Sequence, residues 1–149
     1  MQAGCEAYVP PPRRADQSAK SRILVVEDQK HIARFLEYLL LREGYEVAVE
    51  HDAERAIERA STFAPDACLI DHVLPGISGL DMLRILRTKT NCAHLIAIIL
   101  SAHWFGQSDE VLREAGANAQ CAKPIAPTTL IRKLHELGVF PSRRTVQEK

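Results

Sequence analysis

Five short apolar runs, each followed by a segment with helical spacing, are the feature that most constrains the fold of this chain. Each run has the length of a strand, and the segments between them place apolar residues three or four positions apart. Strict alternation of strands and helices indicates a parallel sheet that helices cover on both faces. The sequence therefore predicts an α/β protein with a doubly wound, five-stranded parallel sheet. The predicted strands are residues 22–26, 45–49, 67–71, 95–100 and 116–123.

The predicted helices carry apolar residues suited to packing on such a sheet. In the first helix, the stripe expected to face the sheet consists of Ile32, Phe35, Leu36, Leu39 and Leu40. Gly44 is expected to end that helix, and Gly138 to end the fifth one. Pro127 suits the first turn of the fifth helix, where the backbone nitrogen needs no hydrogen. The fourth helix, at about residues 107–115, is the least amphipathic, so we expect it to be the most mobile.

The length of 149 residues allows one sizeable core, so a single domain with short tails is expected. We predict that this domain occupies residues 21–139. Residues 1–20 include a proline cluster and few large apolar groups, a composition typical of a flexible tail. A proline-rich docking peptide is the alternative for that segment. The polar residues 140–149 are predicted to form a C-terminal tail.

The charges and the cysteines exclude several classes of function. The 19 basic and 19 acidic side chains cancel, and residues 21–140 hold 13 basic against 16 acidic ones. The folded part therefore lacks the basic surface that binds nucleic acid or an anionic membrane. No apolar run approaches the roughly 20 residues that span a bilayer, and the N-terminus has no apolar signal core. The 4 cysteines include no C-x-x-C pair, which favours a reduced, cytoplasmic location.

Polar side chains stand at the carboxyl ends of four predicted strands, and they are Glu27, Asp28, Asp71, Ser101 and Lys123. Because the carboxyl ends of parallel strands meet at one edge of a sheet, where ligands bind, we expect one shared pocket. Asp71 closes the third strand, just before a loop with Pro75 and Gly79. Taken alone, Asp71 is equally consistent with a residue that caps its own turn.

The chemistry of the whole set is more specific than that of any member. Three crowded carboxylates resist shared ionisation unless a cation intervenes, and oxygen ligands suit a hard divalent ion such as Mg²⁺. Lys123 adds a positive charge that could neutralise an incoming phosphoryl group, and Ser101 offers it a hydroxyl donor. A carboxylate can act as the nucleophile by forming an aspartyl phosphate.

Four motifs in this order closely resemble those of the receiver (response-regulator) domain of two-component signalling. They are Val25-Val26-Glu27-Asp28, the stretch from Ile70 to Gly79, Leu100-Ser101-Ala102 and Lys123-Pro124. The resemblance extends from about residue 21 to residue 138. It implies a CheY-like, flavodoxin-like fold with strand order 2-1-3-4-5.

The resemblance also implies the roles of individual residues. Asp71 would accept a phosphoryl group from a phosphohistidine, with Mg²⁺ as the cofactor. Lys123 would pair with the phosphate, through a geometry fixed by a cis bond to Pro124, and Ser101 would donate its hydroxyl. The ligands implied for the metal are Asp28, Asp71, the backbone carbonyl of Val73, and Glu27 directly or through water.

One position departs from the family pattern, which puts part of the family's conformational response to phosphorylation in doubt. In the family, an aromatic side chain on the fifth strand turns inward after phosphorylation, and the matching residue here is Gln120. Trp104 substituting for that aromatic residue is a hypothesis. His72, His103 and Trp104 flank the entrance of the site and are interpreted as tuning access. The small Ala102 would leave that entrance open.

The partners implied are a sensor histidine kinase or a histidine phosphotransfer protein, and a downstream protein target. A homodimer through the face of the fourth helix, fifth strand and fifth helix is possible, whereas direct contacts with nucleic acid or a membrane are not expected. The chain would be no enzyme beyond its own phosphorylation and dephosphorylation.

Three hypotheses remain open at this point. The first is a stand-alone receiver, because residues after Pro141 could not form an output domain. The second is the receiver portion of a longer DNA-binding regulator or hybrid kinase, with Arg143 and Arg144 in a linker. The third is a phosphatase with an aspartyl nucleophile, which would commonly need a second acid where Val73 stands.

Overall fold

The computed structural model describes residues 20–89, 92–102 and 108–141. Within them, strands and helices alternate as predicted: β1 (Arg22–Val26), α1 (Lys30–Glu43), β2 (Glu46–Glu50), α2 (Ala53–Phe63), β3 (Ala67–Asp71), α3 (Gly79–Arg87), β4 (Ile96–Ala102), α4 (Asp109–Ala115), β5 (Ala119–Lys123) and α5 (Pro127–Glu136). The interpretations of His103 and Trp104, and of nearly all of both tails, fall outside the described residues.

The five strands form one parallel sheet in the order β2-β1-β3-β4-β5. This confirms the predicted fold class and strand order. The central strand, β3, is buried along its whole length, as expected for a strand covered on both faces. Strand β4 ends two residues beyond the predicted strand, so that Ser101 and Ala102 also pair with β5.

Alternate residues of each strand enter two separate cores. Leu24, Val26 and Ile70 face one core, where they meet the small residues of α2 and the leucines of α3. Ile23 and Val25 face the other core, which is completed by α1 and α5. The two-residue period of a strand thus delivers apolar groups to both faces, and the helices seal them.

Helix α1 corrects one detail of the prediction. Its buried residues are Ala33, Leu36 and Leu40, whereas Phe35 is 41% exposed. Each residue of a helix turns by about 100°, so Phe35 stands a quarter-turn away from Leu36 and off the face that meets the sheet. Tyr38 and Leu41 are also exposed on this helix. The buried stripe is therefore narrower than the sequence pattern indicated.

The helix boundaries follow the signals in the sequence. Gly44 adopts a left-handed conformation with φ of 103° at the end of α1, which glycine reaches without steric cost. Pro127 occupies the first turn of α5, as predicted. The hydroxyl of Ser78 caps α3 by accepting a hydrogen bond from the backbone N–H of Asp81 at 3.1 Å. The mobility of α4 stays a prediction.

No helix in the described ranges 20–89, 92–102 and 108–141 is long and apolar enough to cross a membrane.

Candidate functional site

The ends of β1, β3 and β5 bring an acidic cluster and a lysine together at one edge of the sheet. One carboxylate oxygen from each of Glu27, Asp28 and Asp71 lies within 4.8 Å of the others. Glu27 and Asp71 are buried, while Asp28 is exposed. Lys123, the last residue of β5, reaches the same place. The structure therefore places the four charged residues singled out in the sequence in one pocket.

Lys123 bridges the two buried carboxylates of this pocket. Its Nζ lies 2.9 Å from Oε1 of Glu27 and 3.1 Å from Oδ2 of Asp71. The Lys123 side chain is 16% exposed, whereas those of Glu27 and Asp71 are 0% and 6% exposed. A pair this well shielded from water is screened little by salt, so the ammonium and the two carboxylates interact strongly.

Burial sets the protonation of Glu27. Loss of water around the carboxylate raises the pKa of Glu27 to about 7; the hydrogen bond from Lys123 lowers it and Asp71 raises it. Burial alone would lower the pKa of Lys123, but its hydrogen bonds and charge interactions with Glu27 and Asp71 raise it instead. Lys123 is therefore a cation at neutral pH, and Glu27 titrates close to neutrality.

The donor set of the pocket fits a hard divalent cation. Three carboxylates from two strand ends offer only oxygen atoms, which Mg²⁺ prefers. Oε1 of Glu27 is buried, and its charged neighbour among the described residues is the ammonium of Lys123 at 2.9 Å. Oε2 accepts a hydrogen bond from the backbone N–H of Gln29 at 3.2 Å. The cluster thus retains oxygen lone pairs that a cation could use.

Backbone contacts fix the position of Asp71. The N–H of His72 donates to the carbonyl of Leu100 at 2.8 Å, and the N–H of Gly79 donates to the carbonyl of His72 at 2.9 Å. The N–H of Val73 donates to Oδ1 of Asp71 at 3.2 Å. A β-carbon added to Gly79 would overlap the backbone oxygen of Asp71, so α3 approaches the end of β3 as closely as only glycine allows.

Ser101 lies at the same edge of the sheet but has a different partner. Its hydroxyl donates to Oε1 of Gln120 at 3.3 Å, and Ser101 is buried. A cavity of about 490 Å³ opens beside both residues and is also lined by Pro124 and Thr129. The Lys123-Pro124 peptide bond is cis, as predicted.

Two supporting residues were missed in the sequence. Nδ1 of His51 donates to the backbone carbonyl of Glu27 at 2.9 Å, and it thereby anchors the residue that follows β1. Gln120 was noted only as a departure from a family pattern, not as a partner of Ser101. Side-chain contacts between separate strands leave no signal in one sequence, and Gln120 lies near the amino end of β5, away from the carboxyl ends at which the sequence indicated a site.

Comparisons with known proteins agree with this geometry. A family model described as "Response regulator receiver domain" matches residues 23–135. The chain is 31% identical to a putative response regulator from Chloroflexus aurantiacus, with a TM-score of 0.73, over 79% of this chain and 97% of that one. The chain is also 31% identical to the receiver domain of sensor histidine kinase PA1611 from Pseudomonas aeruginosa, with a TM-score of 0.72, over 79% of this chain and 97% of that one. The structure of that receiver domain has a magnesium ion coordinated in the active site cleft.

The chain is also similar to part of a longer protein. It is 33% identical over 116 residues to the DNA-binding response regulator MtrA of Mycolicibacterium smegmatis. The match covers 77% of this chain and 49% of that protein. The chain therefore spans about half the length of the curated relatives it matches.

Proposed function

This chain belongs to the response regulator receiver family, and we propose that Asp71 is its phosphoacceptor. The donor would be a phosphohistidine of a sensor kinase or of a histidine phosphotransfer protein. The observation that carries this proposal is the carboxylate of Asp71 at the end of the central strand, 3.1 Å from the half-buried ammonium of Lys123 and within 4.8 Å of two further carboxylates. We further propose that the domain extends over residues 21–139, which the burial of Val139 in the core supports. The hydrogen bond from the Ser21 N–H to the Pro141 carbonyl at 3.0 Å places ordered contacts two residues beyond that bound.

Asp28, Asp71, Glu27 and the backbone carbonyl of Val73 would hold Mg²⁺. When bound, this ion would neutralise negative charge on the phosphoryl oxygens. The backbone N–H of Val73 already fixes one oxygen of Asp71, which orients the carboxylate towards the pocket. The similar receiver domain of PA1611 supports the metal assignment, because a magnesium ion is coordinated in its active site cleft.

The residues around Asp71 suit transfer of a phosphoryl group. An oxygen of Asp71 would attack phosphorus as the bond to the donor imidazole breaks, and the electron pair of that bond would leave with the imidazole. Lys123 would pair with the negative charge that arrives on the phosphoryl oxygens, since its ammonium already contacts Asp71. Ser101 would donate its hydroxyl to one of those oxygens. The catalytic action proposed is limited to phosphorylation and dephosphorylation of the chain itself.

The proposal is tested by labelling the protein with acetyl phosphate that carries ³²P in the presence of Mg²⁺. We expect one label per chain and complete loss of it in Asp71→Asn, because the amide is not a competent nucleophile. Asp81→Asn is the matched control, since this aspartate is exposed on α3 and forms an ion pair with Arg84 there. Persistent labelling of Asp71→Asn at the wild-type level would contradict the assignment.

Phosphorylation would add about −1.5 to −2 of charge beside Ser101 and Lys123. The phosphorylated chain would then signal through protein contacts. A homodimer through α4, β5 and α5 and a cytoplasmic location belong to this proposal. A second candidate, the receiver portion of a longer DNA-binding regulator, is favoured by the match to about half of MtrA. Sequencing of the gene beyond the codon for Lys149 separates that candidate from a stand-alone receiver.

A further inference from the structure

Gln120 holds the hydroxyl of Ser101, and this contact has a consequence for the response to phosphate. Oε1 of Gln120 accepts the hydrogen bond of Ser101 Oγ at 3.3 Å. Ser101 is 4% exposed, so its hydroxyl has little contact with bulk water. In the sheet, Gln120 pairs with Ile99 and Ala122 with Ser101, so the two side chains meet on the diagonal between β4 and β5.

The hydroxyl of Ser101 carries a single proton and can donate it in one direction at a time. While it donates to Gln120, that proton is not offered to a phosphoryl oxygen on Asp71. Donation to a phosphoryl group therefore breaks the observed hydrogen bond, and the energy of this bond sets part of the cost of the response.

The side-chain amide of glutamine differs from other partners because it both accepts and donates hydrogen bonds. A half-turn of the terminal amide replaces Oε1 by the NH₂ group. The amide can then donate to the oxygen of Ser101 while the hydroxyl proton points to the phosphoryl group. Hydrogen bonds connected in such a chain strengthen one another.

We propose that Gln120 is a positioning residue for Ser101, accepting its hydroxyl proton before phosphorylation and donating to its oxygen afterwards. This inference rests on the proposed phosphoacceptor role of Asp71. The cavity of about 490 Å³ that both residues line provides room for the amide to turn. Gln120 would thus act by its hydrogen bonds and not by filling space.

Two substitutions separate this role from a purely structural one. Gln120→Glu has nearly the same shape, but its carboxylate only accepts, so it holds the hydroxyl more tightly before phosphate binds and cannot donate afterwards. Gln120→Met removes the hydrogen bond to Ser101 both before and after the phosphoryl group binds. The two losses therefore offset each other in the binding affinity. A structural role for the polar contact predicts the opposite order, with Gln120→Met the more damaging substitution.

The experiment is calorimetric titration of the full chain with beryllofluoride, a phosphoryl analogue, in the presence of Mg²⁺. Since one hydrogen bond contributes a factor of several and a charged one more, we expect Gln120→Glu to weaken binding by about 10- to 30-fold. We expect Gln120→Met to stay within about threefold of the wild-type affinity. In a Ser101→Ala background, the effect of Gln120→Glu should fall below about threefold.

Other outcomes would overturn either the positioning role of Gln120 or the proposed function of Asp71. Equal weakening by Gln120→Glu with and without the Ser101 hydroxyl would overturn the positioning role, because the added charge alone would then explain it. Stronger loss in Gln120→Met than in Gln120→Glu would also overturn it. If the wild type binds no beryllofluoride, or if Asp71→Asn binds it equally well, the proposed phosphoacceptor function fails and the inference falls with it.

Discussion

Replacement of Gly79 by alanine is predicted to disturb the geometry of Asp71 from behind. Gly79 is the first residue of α3, and a β-carbon there would overlap the backbone oxygen of Asp71. It would also lie 2.9 Å from Cγ2 of Ile70 and 3.0 Å from the carbonyl carbon of Asp71. Two of these three neighbours are backbone atoms of the central strand, so no flexible side chain can move aside to accept the methyl group.

The size of the effect follows from what must move. Overpacking of a buried site costs about 1 to 3 kcal/mol, and a clash with rigid backbone belongs at the upper end, so we expect Gly79→Ala to lose about 3 kcal/mol of unfolding free energy. Relief of the clash displaces the carboxylate of Asp71 or the loop that follows it. A displacement of about 1 Å at a reacting group lowers rates by about 100-fold, which we expect for labelling by acetyl phosphate.

Gly138→Ala is the matched control for this prediction. Gly138 has a φ of 86°, and a β-carbon there would meet no atom within 4 Å. Its replacement costs only the left-handed conformation, about 1 to 2 kcal/mol, and should leave the labelling rate unchanged. Urea unfolding and labelling kinetics measure both quantities. The close-approach argument is refuted if Gly79→Ala is no less stable than Gly138→Ala and labels at the wild-type rate.

Two further predictions concern the charges of the pocket. Mg²⁺ at ten times its dissociation constant should stabilise the wild type by about 1.4 kcal/mol in urea unfolding. It should leave the stability of Asp28→Asn unchanged, because that substitution removes a proposed ligand, and Asp81→Asn is the control. An equal shift in the wild type and in Asp28→Asn would argue against Asp28 as a ligand. Without divalent ions, Glu27 should make the wild type less stable as the pH rises from 4.5 to about 7. The pKa of Glu27 is raised from 4.5 to about 7 in the folded state, so over this range the folded chain binds more protons than the unfolded one. A shift of this size corresponds to about 3 kcal/mol, and unfolding of Glu27→Gln at several pH values should show that slope removed; an unchanged slope would contradict the assignment.

The sequence predicted the fold because its signals are local. Apolar runs of strand length, helical spacing and the stop at Gly44 each depend on neighbouring residues, and the rule for parallel sheets then orders them. The same rule gathers Glu27, Asp28, Asp71 and Lys123 at one edge, since each lies at the carboxyl end of a strand or just after it. Placement at an edge needs only topology, which is why the charged pocket could be foreseen.

Contacts that depend on side-chain direction could not be foreseen in the same way. The position of Phe35 next to Leu36 in the sequence did not show that only Leu36 would meet the sheet. The hydrogen bond between Ser101 and Gln120 depends on the register of β4 against β5, which periodicity does not fix. The approach of Gly79 to Asp71 likewise depends on how α3 leaves its loop.

The charges of the pocket are consistent with the cation proposed for it. Lys123 is one positive charge shared by two buried carboxylates, with the third, Asp28, close by. Burial, and to a lesser extent Asp71, raises the pKa of Glu27 to about 7, so that near neutral pH a proton occupies this carboxyl group for part of the time and relieves part of the repulsion. A divalent ion held by these oxygens, as proposed above, would bring two positive charges and would displace that proton. If Mg²⁺ binds as proposed, its binding and the loss of a proton from Glu27 would be parts of one equilibrium.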